Sequence, residues 1–336
     1  MAAAPFDPTQ SLLRWGIENA APGALLPLAE EMKQGKRPDL NTDMLKAIMG
    51  TSDADRMKEC VMVIQGKWVD RDGTGVKDAQ VTREDRLRAW DDLEMLVEDL
   101  DNANDLKFNG LWKPIIDHLT DEDEEVVLRA CWVCGTAVQN NVRAQAAFLE
   151  HDPLPTISSL LTSTNHPETT RNKAMYCLSS TLKHSPLAVA RFGQLEGWKV
   201  LLRCLEDPSQ TLRSKTAFLL SQLMSQATSP STLLSSLRAS GVLPLLLTSL
   251  DSTSALPTGA DGDVSAVDPD YKEKVLRFLV NTVERTKEEG KGGLEGQEKR
   301  SVRKVVGELE EQEAWEAEEL GLAKEEWEEF KKGIQA

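Results

Sequence analysis

Long apolar runs are missing from this 336-residue chain: the stretch 242–250 is typical and already contains Pro244, Thr248 and Ser249. No segment approaches the roughly 20 apolar residues that cross a bilayer. The opening MAAAPFDPTQSLLRW lacks the charged start and apolar stretch of a secretory signal. Cysteine is scarce and odd in number, five in all, which argues against a secreted disulfide framework. Together these features predict an aqueous, reducing compartment, the cytoplasm. Period-two alternation and β-branched runs are also absent, so sheets are not expected. Basic runs interleaved with aromatics are missing too, and 55 acidic against 39 basic residues give a net charge of −16. Phosphate backbones and anionic membranes repel such a chain, so neither nucleic acid nor membrane is an expected partner.

What is present is a repeat. Four segments carry a basic residue near a small one and then run at helical spacing: RLRAWDDLEMLVEDL, VLRACWVCGTAVQNN, TRNKAMYCLSSTLKH and LRSKTAFLLSQLMSQ. Aligned on Ala89, Ala130, Ala174 and Ala217 they are spaced by 41, 44 and 43 residues. A second helix follows in each, anchored at Trp112, Leu154, Trp198 and Leu243. Three residues beyond these anchors stand Ile115, Ile157, Leu201 and Leu246, and seven beyond stand Leu119, Leu161, Leu205 and Leu250. That is the stripe of a helix buried on one side. Units of roughly 40–47 residues built from two or three helices mark armadillo and HEAT architectures. The expected fold is therefore all-α, an armadillo-like solenoid with a concave groove. Asp121 and Asp123, then Asn165-His166-Pro167, then Asp207-Pro208-Ser209 punctuate the units.

The second helix of each unit is expected to line the groove. Its outward positions, one and five beyond the anchor, are Lys113 and Asp117, Pro155 and Ser159, Lys199 and Arg203, Pro244 and Thr248. The flanks divide accordingly. Residues 1–38 read as a flexible segment with a short amphipathic helix carrying Leu12, Leu13, Trp15 and Ile17. Residues 39–81 read as capping helices, at 41–49 and 53–65, and a loop, and 82–250 as four repeats. Residues 251–270 read as a disordered insertion, 271–289 as a fifth partial repeat or cap, and 298–336 as an acidic, solvated helical tail that includes Trp315 and Leu320.

Local motifs give little chemistry. Residues 70–81 begin like a calcium loop, but Val81 stands where a bidentate Glu is needed and Lys77 where an apolar residue is usual. Cys131 and Cys134 form a CxxC inside a repeat helix without a second pair, so they read as small core residues. His118, His151, His166 and His184 share no ligand spacing, and no phosphate loop or nucleophile elbow occurs. No metal, cofactor or catalytic centre is expected, and the chain reads as a binding protein.

Two motifs are more specific: 94–105, EMLVEDLDNAND, and 135–141, GTAVQNN, preceded near the start by 12–19, LLRWGIEN. In these, over residues 10 to about 250, the chain resembles the armadillo-type nucleotide exchange factors of the seventy-kilodalton heat-shock chaperone. These are the fungal Fes-type factors and their animal relatives, the heat-shock-protein-binding proteins. The resemblance implies a groove that embraces one lobe of the chaperone's nucleotide-binding domain and speeds ADP release. It also implies an N-terminal segment, here Leu12, Leu13, Trp15 and Ile17, that competes for the chaperone's substrate groove and helps release clients. Carried over by position, the implied contacts are Asn102, Ala103 and Asn104 in the first repeat, Asn140 and Asn141 in the second, and Lys215 in the fourth. Ala103→Arg is then expected to weaken chaperone binding and leave the fold intact. The insertion and the acidic tail depart from the family's compact pattern. The competing readings are an armadillo adaptor that binds without affecting nucleotide, and a calcium-regulated scaffold. A capped solenoid of this kind is expected to be monomeric.

Overall fold

In the computed structural model, residues 51–67, 80–250, 268–311 and 322–335 are described. The chain divides into two compact units, Met1–Cys60 and Val61–Ala336. Of the first unit the description covers residues 51–60, which are helical from Asp53 within α1 (Asp53–Ile64). No strand occurs among the described residues.

From Arg83 the second unit repeats one plan, a long helix followed by two short ones. The first layer is α2 (Arg83–Val97), α3 (Leu100–Phe108) and α4 (Trp112–Asp117). The second is α5 (Glu124–Val138), α6 (Val142–Leu149) and α7 (Leu154–Thr162). The third is α8 (Glu168–Leu182), α9 (Pro186–Gln194) and α10 (Gly197–Leu205). The fourth is α11 (Gln210–Ser225), α12 (Pro230–Ala239) and α13 (Val242–Ser249). A further long helix, α14 (Pro269–Glu289), packs on α11, and α15 (Gly296–Glu310) and α16 (Lys324–Gln335) follow it.

The helix starts follow from sequence chemistry. Thr82 and Asp85 form a reciprocal capping box at α2, and Asp99, Asp123, Asn141, Ser185, Ser209 and Asp268 each accept a backbone N–H at the start of a helix. Pro186, Pro230 and Pro269 stand in the first turn, where a missing N–H costs nothing. The middle helices α3, α6, α9 and α12 are not separable in the apolar spacing, because the cap residues that begin them also extend the polar end of the long helix before.

The long helices stack on one another, and α4, α7, α10 and α13 stack behind them. The stripe is interior throughout: Ile115, Ile157, Leu201 and Leu246 are buried, as are Leu119, Leu161, Leu205 and Leu250. Each such side chain contributes about 1.5–3 kcal/mol by leaving water. The small anchors Ala89, Ala130, Ala174 and Ala217 are buried where long helices cross. Gly135 shows how close the approach is, since a Cβ there would lie 2.6 Å from the Tyr176 ring and 3.1 Å from Cys177 Cα. Cys131, Cys134 and Cys177 are buried in the same region, and burial pushes the Cys131 and Cys134 thiols well above their ordinary range.

The acidic tail differs from expectation. Instead of standing in solvent, α16 buries Trp327, Phe330 and Ile334 and packs on α14 and α15. Ion pairs Arg277–Glu326 and Lys331–Glu310, each at 2.7 Å, tie α16 to α14 and α15, and Arg238–Glu298, also at 2.7 Å, ties α15 to α12. Amphipathic spacing thus outweighs the Glu-rich composition, because the glutamates face outward. The 12–17 stripe, the 41–49 helix, residues 70–79 of the calcium-like loop, residues 251–267 of the insertion, and Trp315 and Leu320 lie outside the described residues.

Candidate partner-binding groove

The open face of the stack is formed by the long helices. A hollow of about 1000 Å³ is lined from α2 by Glu94, from α5 by Trp132 and Thr136, from α8 by Lys173 and Tyr176, and from α11 by Lys215. Two adjoining hollows of about 290 and 370 Å³ continue across α8, α11 and α14, and Lys215 lines all three.

The floor is built by cross-helix contacts. Thr136 donates its hydroxyl to Glu94 Oε1 at 2.8 Å, and the Tyr176 hydroxyl donates to Gln139 Oε1 at 3.1 Å. The Lys173 ammonium sits 3.5 Å from the Trp132 ring centroid, and that of Lys183 sits 4.6 Å from Phe218. These are cation–π contacts, which attract a cation without neutralising it. Burial pulls the Lys173, Lys183 and Lys215 pKa values below the ordinary lysine range, and the Lys215 cation lowers Lys173 further against the opposing pull of Glu94. Such a floor suits a broad, polar partner surface better than a buried small molecule, since it is open and runs across several helices.

The sequence pattern pointed to the last helix of each unit, whereas the hollows lie over the long helices. Lys113, Asp117, Pro155, Ser159, Lys199, Arg203, Pro244 and Thr248 are all exposed, as expected, but they lie on α4, α7, α10 and α13, behind the long helices. The physical reason is the threefold unit: with a middle helix present, the long helix is the one whose outer face stays uncovered. Charges on the back are satisfied locally, Lys113 by Asp117 and Lys199 by Glu196, each at 2.8 Å.

The motif residues divide between groove and scaffold. Asn140 lines the groove, in a left-handed conformation (φ 53°) at the α5–α6 corner, a conformation asparagine tolerates. Lys215 lies at its centre. Asn141 is buried: its Oδ1 caps α6 by accepting from Ala144 N–H, and its Nδ2 donates to Leu100 O. Asn102 Nδ2 donates to Leu96 O, and Asn104 Oδ1 is buried with no hydrogen-bond partner among the described residues. Ala103 is 1% exposed inside α3, so it offers no contact surface, and Ala103→Arg would disrupt packing. The two motifs therefore meet each other, and much of what makes them recognisable is the joint between the first two layers.

Glu94, Trp132, Lys173, Tyr176, Lys183 and Phe218 were missed as groove residues. A signal existed: Trp132 and Tyr176 both stand two residues beyond their alanine anchors, and Arg129 and Lys173 one before.

Comparison with known proteins agrees with this architecture. Two family models match, "Nucleotide exchange factor Fes1" over residues 9–106 and "SIL1/FES1/HPBP1 C-terminal domain" over 102–238. A protein of Mycosarcoma maydis named Hsp70 nucleotide exchange factor FES1 is 39% identical over 65% of this chain, which spans 54% of that relative's length. Its counterpart in Cryptococcus neoformans is 32% identical over 83% of this chain and 74% of its own length, and that of Saccharomyces cerevisiae is 30% identical over 74% and 81%. Among solved structures, a designed armadillo repeat protein superposes with TM-score 0.59 at 12% identity, over 84% of this chain and 100% of its own. A computationally designed armadillo protein for modular peptide recognition gives 0.55 at 13%, over 84% and 97%. These two show the fold, which is armadillo-like. The two family models and these relatives show that the chain belongs to the Fes1 nucleotide exchange factor family.

Proposed function

We propose that the chain is a co-chaperone that accelerates ADP release from a seventy-kilodalton heat-shock chaperone, holding the chaperone's nucleotide-binding domain in the long-helix groove. The observation that carries this reading is the continuous open face across α2, α5, α8 and α11, in a chain that belongs to the exchange-factor family. The chain performs no chemistry and needs no cofactor. Its task is differential affinity: it must bind the ADP-free chaperone more tightly than the ADP-bound one, and by linkage nucleotide then weakens its own binding by the same factor. A stacked, side-by-side helical face suits that task, since a rigid template favours one partner conformation over another.

Residues 1–38, through Leu12, Leu13, Trp15 and Ile17, are assigned to client release. Removing them should spare exchange and slow the departure of client. The chain acts as a monomer in the cytoplasm. Among the described residues no helix is long and apolar enough to cross a membrane.

The test is release of fluorescent ADP from purified chaperone by stopped flow. Release should quicken in proportion to added protein. Binding with unchanged release would replace this reading with that of an adaptor.

A further inference from the structure

One slot of the repeat is filled in two different ways. It lies where the residue before each alanine anchor meets the residue two beyond the anchor of the preceding long helix. Between α2 and α5 the slot holds Arg129 and Asp91, bonded at 2.9 Å, with Glu125 also on the guanidinium at 2.5 Å. That cation is neutralised. Between α5 and α8 the same slot holds Lys173 over the Trp132 ring, and no carboxylate takes Asp91's place. Lys183 is treated likewise over Phe218, and neither these two nor Lys215 forms an ion pair with a described residue. In a chain of net charge −16, three neighbouring lysines without an ion-paired acid gather on the α8–α11 part of the groove. Glu94 and Glu98 stand on the α2 side of the same hollow, while on the α14 side Asp270 is already taken by Lys274.

A second feature runs alongside. Leu100, Val142 and Leu187 are exposed by 57, 65 and 68%. They occupy the first or second position of α3, α6 and α9, so the repeat sets them in a row, and Leu100 also lines the groove. Three apolar side chains left in water at equivalent places form a contact strip.

We infer that the surface seated in this groove is acidic: its carboxylates meet Lys173, Lys183 and Lys215, and its apolar side chains lie against the Leu100–Val142–Leu187 rim. This rests on the exchange-factor reading, and it specifies the face of the chaperone lobe that is gripped. Lys173 and Lys183 are held on rings and Lys215 forms no ion pair with a described residue, so all three meet carboxylates without first giving up an acid partner.

The experiment measures affinity of the full chain for the nucleotide-free chaperone domain by titration calorimetry at several salt concentrations, together with ADP release. Wild-type affinity should fall steeply as salt rises from about 50 to about 400 mM, over which the screening length shortens severalfold. The Lys173→Gln/Lys215→Gln double variant, checked for an unchanged melting temperature, should bind about tenfold weaker or worse and lose most of that salt dependence. At saturating concentration it should still accelerate release, and Lys173→Arg/Lys215→Arg should restore affinity. Acceleration by the wild type with salt-independent affinity, or a folded double variant of unchanged affinity, would overturn the inference and leave exchange standing. A wild-type protein that fails to accelerate release at any salt concentration would remove the exchange reading and this inference with it.

Discussion

The two faces of the helical stack obey different rules. On the back, α4, α7, α10 and α13 repeat their apolar stripe faithfully, and the ion pairs they carry, Lys113–Asp117 and Lys199–Glu196, close within one turn. On the open face the long helices share small anchors but little else, and their side chains reach across helices, Lys173 onto the Trp132 ring, Arg129 onto Asp91, Thr136 onto Glu94 and Tyr176 onto Gln139. Regularity on the back is what stacking demands of every layer. Irregularity on the front is where a repeat protein becomes specific, since a binding surface has no reason to repeat. Exposure alone did not distinguish the faces; how each charge is satisfied did.

Mutations can sharpen that contrast. The largest effect belongs to the joint between layers: Ala103→Arg would place an unpaired cation in the interior, costing about 4 kcal/mol or more. Urea denaturation should show early loss of the first layer, not a folded protein with weak binding. Next, Leu201→Ala on α10 removes a fully buried side chain and should cost about 2–5 kcal/mol. Its exchange activity per folded molecule should stay unchanged, because nothing on the groove moves.

Lys215→Glu reverses the cation shared by all three hollows and should weaken chaperone binding about tenfold to a hundredfold, or about 1.4–2.8 kcal/mol, with little change in melting temperature. A smaller effect concerns acid. Burial alone would raise the Asp121 carboxyl, but the Asp123 N–H, His118 and Arg86 hold it below the ordinary aspartate range. A carboxylate depressed on folding contributes stability above its unfolded pKa and loses it as pH falls through the folded value. Asp121→Asn should therefore melt earlier at neutral pH and show a shallower decline toward acid. The smallest effect is Lys113→Ala, which breaks an exposed pair of one turn. Neither melting temperature nor exchange should shift measurably, whereas a clear loss of exchange would return function to the back face.

The fold was legible because burial is periodic. Ile115, Ile157, Leu201 and Leu246 can be read as a column without any structure, since each must be apolar for its layer to stack. The family was legible because two joints, at 94–105 and 135–141, need special residues: Gly135 for close approach, Asn140 for a left-handed corner, Asn141 for a cap. The groove was not legible from that pattern. The middle helices begin with cap residues that mimic the polar end of the helix before, so the unit read as two helices and the hollows over the long helices were not anticipated. Asn102 and Asn141 also illustrate a general hazard, because a side chain that identifies a family can be one that holds its scaffold.

Whether the partner sits on the long helices can be tested with a photo-crosslinking amino acid. It would be placed singly at Thr169, exposed in the groove, or at Arg203, exposed on the back. Irradiation with the nucleotide-free chaperone should give a crosslinked product from position 169 and none from 203. Crosslinking from 203 with none from 169 would contradict the placement of the binding face on the long helices.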